Sequence, residues 1–293
     1  MRAVLGTMMV GCWMALLAGC APRGATPAAA VGRMGGSLAA TAQGMPRGAD
    51  GCAMEDALQA PLGTPSKELG EICKEDLARD RLWGTALQAL SAYANSLEAL
   101  VDEEHAERTG KLEAALTPVR DESFVEVEGE QEQGARKATA ELVTQMRDRD
   151  RKADLESTLE AAAPQVATLC DGLLAYLGTQ ADRFSKIAKD IEEKRKSPAG
   201  RRCTKVGTQT VCVANSTLDH LAFAELYGQA EGLRRSHEDA RNTVAGFCVA
   251  HYTLAEAAKS GDLKNDETYE QVVGAVHDAV PMNTPPPADA PKP

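Results

Sequence analysis

Apolar residues recur at three- and four-residue steps through most of this chain, the period of a helix buried along one face. Leu69, Cys73, Leu77, Trp83, Leu87, Leu90, Ala94, Leu97 and Val101 form the first run. It closes in the polar stretch Asp102-Glu103-Glu104-His105, and Leu112 and Leu116 extend it briefly before Pro118. Residues 123–129 alternate between apolar and polar and predict a short extended segment. A second helical region opens near Glu130, with Leu142, Met146, Leu155 and Leu159 on its apolar seam. Pro164 lacks an N–H and predicts a break or kink there. Val166, Cys170, Leu173, Leu177, Phe184, Ile187 and Ile191 then define a helix to about Lys196, before Pro198-Ala199-Gly200.

Between Cys203 and Cys212 the residues are rich in Thr and Val around Gly207, which predicts a small hairpin closed by a disulfide. Ser216 with Asp219 three residues on has the spacing of a capping box. From there one stripe runs through Leu221, Leu226, Ala230, Leu233, His237, Ala240, Val244, Cys248, His251, Ala255 and Ala258. Gly261 predicts its stop. Asn265-Asp266 starts a shorter helix through Tyr269, Val272, Val273 and Val276. The fold class read from this pattern is all-α: an elongated antiparallel helical bundle over residues 64–280 with one small disulfide-closed β-hairpin. Residues 20–63, rich in Ala, Gly, Pro and Thr, predict a flexible tether, and the Pro-rich stretch 281–293 a disordered tail.

Aromatic residues are only 4% of the 293 residues against 43% hydrophobic overall, so Ala and Leu must fill the core. The formal net charge of −11 argues against a nucleic-acid partner. No apolar run reaches the ~20 residues of a spanning helix.

The first nineteen residues have the order of an export signal: Met1-Arg2, an apolar stretch from Ala3 to Leu16, then small residues. Leu17-Ala18-Gly19-Cys20 resembles the lipobox of bacterial lipoproteins. The resemblance covers about twenty residues and implies that Cys20 is acylated and becomes the mature N-terminus. More than one acyl chain makes anchoring stable. Ala21 after the cysteine, where no aspartate stands, implies sorting to the outer membrane. The expected location is therefore the bacterial cell envelope, with the membrane a partner through the N-terminal lipid.

Once Cys12 leaves with the signal and Cys20 is acylated, six cysteines remain: Cys52, Cys73, Cys170, Cys203, Cys212 and Cys248. An even number in an exported chain predicts three disulfides. Position ranks Cys203 with Cys212 first, Cys170 with Cys248 across antiparallel helices second, and Cys52 with Cys73 as the remainder. No Cys-x-x-Cys pair or zinc-type spacing is present, so no metal site is predicted.

Catalytic motifs for acyl transfer, phosphate binding or zinc hydrolysis are absent from the sequence, and no catalytic residue or cofactor is predicted. Of His105, His220, His237, His251 and His277, only His237 and His251 fall on the buried stripe. Charge is segregated along the chain: residues 102–132 are strongly acidic, whereas residues 186–205 carry eight bases against three acids. Lys194, Arg195, Lys196, Arg201, Arg202 and Lys205 are the candidate partner-binding residues, suited to an acidic face of an envelope protein or an anionic glycan. The expected function is that of a non-catalytic envelope scaffold, adaptor or binding module. The alternative is an envelope metal-binding protein or enzyme built on the bundle histidines and nearby carboxylates.

Overall fold

The computed structural model describes residues 27–45, 47–59, 73–101, 129–148, 155–196, 202–206, 209–213, 217–263 and 265–279. Among them the helices are α1 (Pro27–Gly44), α2 (Gly48–Gln59), α3 (Lys74–Val101), α4 (Glu130–Asp148), α5 (Leu155–Lys196), α6 (Thr217–Ser260) and α7 (Asp266–Ala279). Two strands, β1 (Arg202–Val206) and β2 (Gln209–Val213), lie between α5 and α6.

The two longest helices form the frame. Cys170 of α5 is bridged to Cys248 of α6, Gly178 lies against Arg241, and Phe184 stacks on His237. Rising numbers on one helix meet falling numbers on the other, so the pair is antiparallel. Helix α3 is also antiparallel to α5: Asp76 lies against Arg183, and further along α3 Trp83 is stacked on Tyr176 and seated over Gly172. Helix α4 runs in the same direction as α3, joined to it by Arg79–Glu132 at 3.4 Å and to α5 by Gln165–Glu141 at 3.1 Å.

The core is built as the stripes predict. Trp83, Leu87, Leu90, Ala94 and Leu97 of α3 are buried, as are Val166, Leu169, Leu173 and Leu177 of α5. Each fully buried Leu contributes roughly 1.5–3 kcal/mol. Ala86, Ala89 and Ala92 let α3 be approached closely on a second side. A smaller cluster of Met54, Phe184, Ile187, Ala188, Ile191 and Ala230 lies where α2, α5 and α6 meet.

Helix ends follow local chemistry. Gly261 takes φ 78°, its N–H reaches the Ala258 carbonyl, and the Asp262 N–H reaches the Ala257 carbonyl at 2.8 Å, closing α6. Asn265 Oδ1 accepts the Glu267 N–H at 3.0 Å and caps α7.

Three expectations are corrected. First, residues 27–59 of the predicted tether are two packed helices. In α1, Ala28, Ala30, Val31, Met34 and Leu38 are buried. Its glycines are what composition misreads: a Cβ on Gly32 would lie 2.4 Å from Glu98 Cβ, and one on Gly35 would lie 2.2 Å from Asn95 Oδ1. Small residues here permit backbone contact with α3 instead of marking disorder. Second, of the break or kink expected at Pro164, the break is overturned, because α5 is continuous from Leu155 to Lys196 with Pro164 inside it.

Third, the fold class is a helical bundle, and the disulfide-closed β-hairpin is not a supporting part of it. Strands β1 and β2 pair only with each other, with Cys203 opposite Cys212. The disulfides among the described residues join Cys52 to Cys73 and Cys170 to Cys248, and the side chains of Cys203 and Cys212 lie outside the described residues. A two-stranded ribbon on its own is at best marginally stable in water, so the bundle and not the strands carries the fold. Residues 1–26, including Cys20, the extended segment expected over 123–128 and the tail 281–293 lie outside the described residues.

Candidate functional site

The candidate site is the end of the bundle where α2, α5 and α6 meet and the chain enters β1. Helix α2 is fixed there from below and above. Asp80 of α3 accepts the N–H groups of Gly48 at 2.8 Å and Ala49 at 3.1 Å, which caps the first turn of α2. Tyr176 donates to the same carboxylate. Burial, and then the Asp80 charge, push the Tyr176 phenol well above its ordinary range, so it stays a donor.

Arg183 of α5 ties three helices together. Its Nε and Nη2 donate to the two Glu55 oxygens of α2 at 3.0 and 2.8 Å, and its Nη1 lies 3.2 Å from Asp76 of α3. The Glu55 hydrogen bonds hold the guanidinium firmly protonated. A two-pronged Arg–carboxylate contact fixes orientation as well as distance. Cys52 of α2, bridged to Cys73 just before α3, is a covalent fastening for the same corner.

Of the six predicted partner-binding residues, Lys194 is exposed and donates to the carbonyl of Leu58 in α2. Arg195 and Lys196 end α5, while Arg202 and Lys205 belong to β1; their side chains, and all of Arg201, lie outside the described residues. Cys203 and Cys212 are in register across the ribbon. Beside this end a shallow groove of about 620 Å³ runs between α2 and α6, with Met54, Leu226 and Leu233 on its walls.

The two stripe histidines are core groups. His251 shares a 2.9 Å hydrogen bond between its Nε2 and the Tyr93 hydroxyl, and its ring stacks on Phe247. Burial lowers its pKa to about 4. His237 has its Nδ1 2.9 Å from the Leu233 carbonyl and its ring against Phe184. Among the described residues no three His, Cys, Asp or Glu side chains group as a metal site would require.

Sequence reading missed the Arg183, Asp80 and Tyr176 network. Arg183 carried one available signal, a charge beside the apolar Phe184 and Ile187 positions of α5. Asp80 carried none, because its partner is a helix hidden by the composition of residues 20–63. No family model, curated protein or solved structure matches this chain.

Proposed function

We propose that this protein is a lipid-anchored, non-catalytic helical protein of the bacterial envelope, acting as a scaffold, adaptor or binding module. The observation that carries the reading is covalent. Cys52–Cys73 and Cys170–Cys248 staple helices of one bundle, and such bridges persist in oxidising compartments. Leu17-Ala18-Gly19-Cys20 supplies the matching address and the anchor. The bundle histidines support this reading over a metal-binding or enzymatic one, because both sit in the core with their rings packed on Phe side chains.

The contact surface is the basic end of α5 with the strands that follow. Two substitutions test the proposal. Cys20→Ser should move the protein from the membrane fraction to the soluble fraction; unchanged fractionation contradicts the anchor. Replacing Lys194, Arg195, Arg201 and Arg202 together with Glu should abolish in-cell cross-linking to an envelope partner while circular dichroism stays constant. Unchanged cross-linking removes this end from the proposal.

A further inference from the structure

We propose that α1 is a strut that stands the bundle on the membrane by one end. The end formed by the last turns of α3 and α6 faces lipid, and the end carrying the strands and the basic residues faces away. This inference rests on the acylation of Cys20.

The argument begins with chain length. Only seven residue steps separate Cys20 from Pro27, a reach of at most about 25 Å. Pro27 and Ala28 are already buried, so the chain is packed from the first turn of α1. A 44-residue tether would have let any face of the body reach the bilayer, whereas this leash confines the first turn of α1 to within about 25 Å of the anchored residue.

Packing then fixes which end the leash holds. Gly32 lies against Glu98, and Gly35 lies against Asn95 and Ser91, so α1 is antiparallel to α3. Tyr93 of α3 meets His251 of α6, and these two helices run in the same direction. Five residues before Gly32, Pro27 is therefore level with the last turn of α6, near Ser260. Helix α6 has 44 residues and is about 66 Å long, so its first turns lie far beyond the reach of the leash.

The net charge opposes broad contact between the body and an anionic surface. Residues 1–19 carry one Arg and no acid, which leaves the mature chain at −12. Anionic headgroups repel a body of that net charge. Asp262, Asp266 and Glu267 are exposed at the anchored end too, so the acyl chains, and not charge, hold that end at the bilayer. The molecule thus meets a lipid surface by its anchored end and offers its basic end to partners at a distance from the bilayer.

The test uses the full lipidated chain reconstituted into vesicles of zwitterionic and anionic phospholipid with acceptor-labelled headgroups. A fluorescent noncanonical amino acid is placed either at Gly228, where a Cβ meets open space, or at the exposed Ser260. The two positions are about 48 Å apart along α6. Energy transfer should be at least about threefold stronger from position 260, as the helix length requires. Inserting a flexible ~20-residue linker between Cys20 and Pro27 should erase most of that contrast. Vesicle flotation is read on the same samples. A chain that floats yet transfers equally from both positions overturns the orientation and leaves the anchor standing. A chain that does not float overturns both.

Discussion

His251 shows how one side chain can make stability depend on pH. It is neutral in the fold, with its pKa lowered from 6.5 to about 4 by burial. The unfolded chain therefore binds the extra proton first. Its contribution to stability is complete above about pH 6.5 and is lost as pH falls towards 4. The shift corresponds to roughly 3 kcal/mol over that window. Urea unfolding at pH 7 and pH 4.5 should show a smaller acid penalty for His251→Gln, which keeps a hydrogen-bonding group near Tyr93 but does not titrate. An equal penalty in both proteins contradicts this. The glycines of α1 make a paired prediction. Gly32→Ala forces a Cβ against Glu98 backbone atoms at 3.0 Å and should cost about 1–3 kcal/mol. Gly36→Ala enters open space and should stabilise by up to about 1 kcal/mol through helix propensity. Thermal unfolding of the two variants should move in opposite directions.

At the scale of elements, the long helices were legible and the first two were not. Each residue from Val166 to Ile191 on the α5 stripe is an apolar position at helical spacing, and the seam it forms with α6 is closed by the bridge that helical pairing implies. Gly261 and Asn265 likewise mark helix ends through their own backbone and side-chain chemistry. Helix α1 was hidden because Ala and Gly carry the same composition in a tether and in a tightly packed helix. What separates the two is the neighbour, here Asn95 and Glu98 of α3, and local sequence holds no record of that neighbour. The candidate site follows the same division. Its basic residues stand out as a cluster, whereas the network of Arg183, Glu55 and Asp80 depends on α2 being folded. The Cys170–Cys248 bridge closes a separation of 78 residues. Replacing both with Ser should cost roughly 2–4 kcal/mol in chemical unfolding while leaving helical content near native. A loss well below 1 kcal/mol would mean that packing between α5 and α6 suffices alone.

For the whole molecule, the parts act in series. Disulfides and core packing brace the body. In the proposed arrangement α1 joins that body to the anchored N-terminus, the net acidic charge opposes contact with anionic lipid, and the basic end is displayed at the far side of the frame built by α5 and α6. The proposed anchoring and orientation depend on the acylation of Cys20, whereas the packing and the disulfides do not. Mass spectrometry of the N-terminal peptide, taken from protein extracted from cells with detergent, examines that residue directly. The account predicts Cys20 as the first residue, carrying acyl chains. An unacylated terminus at any other residue would contradict it.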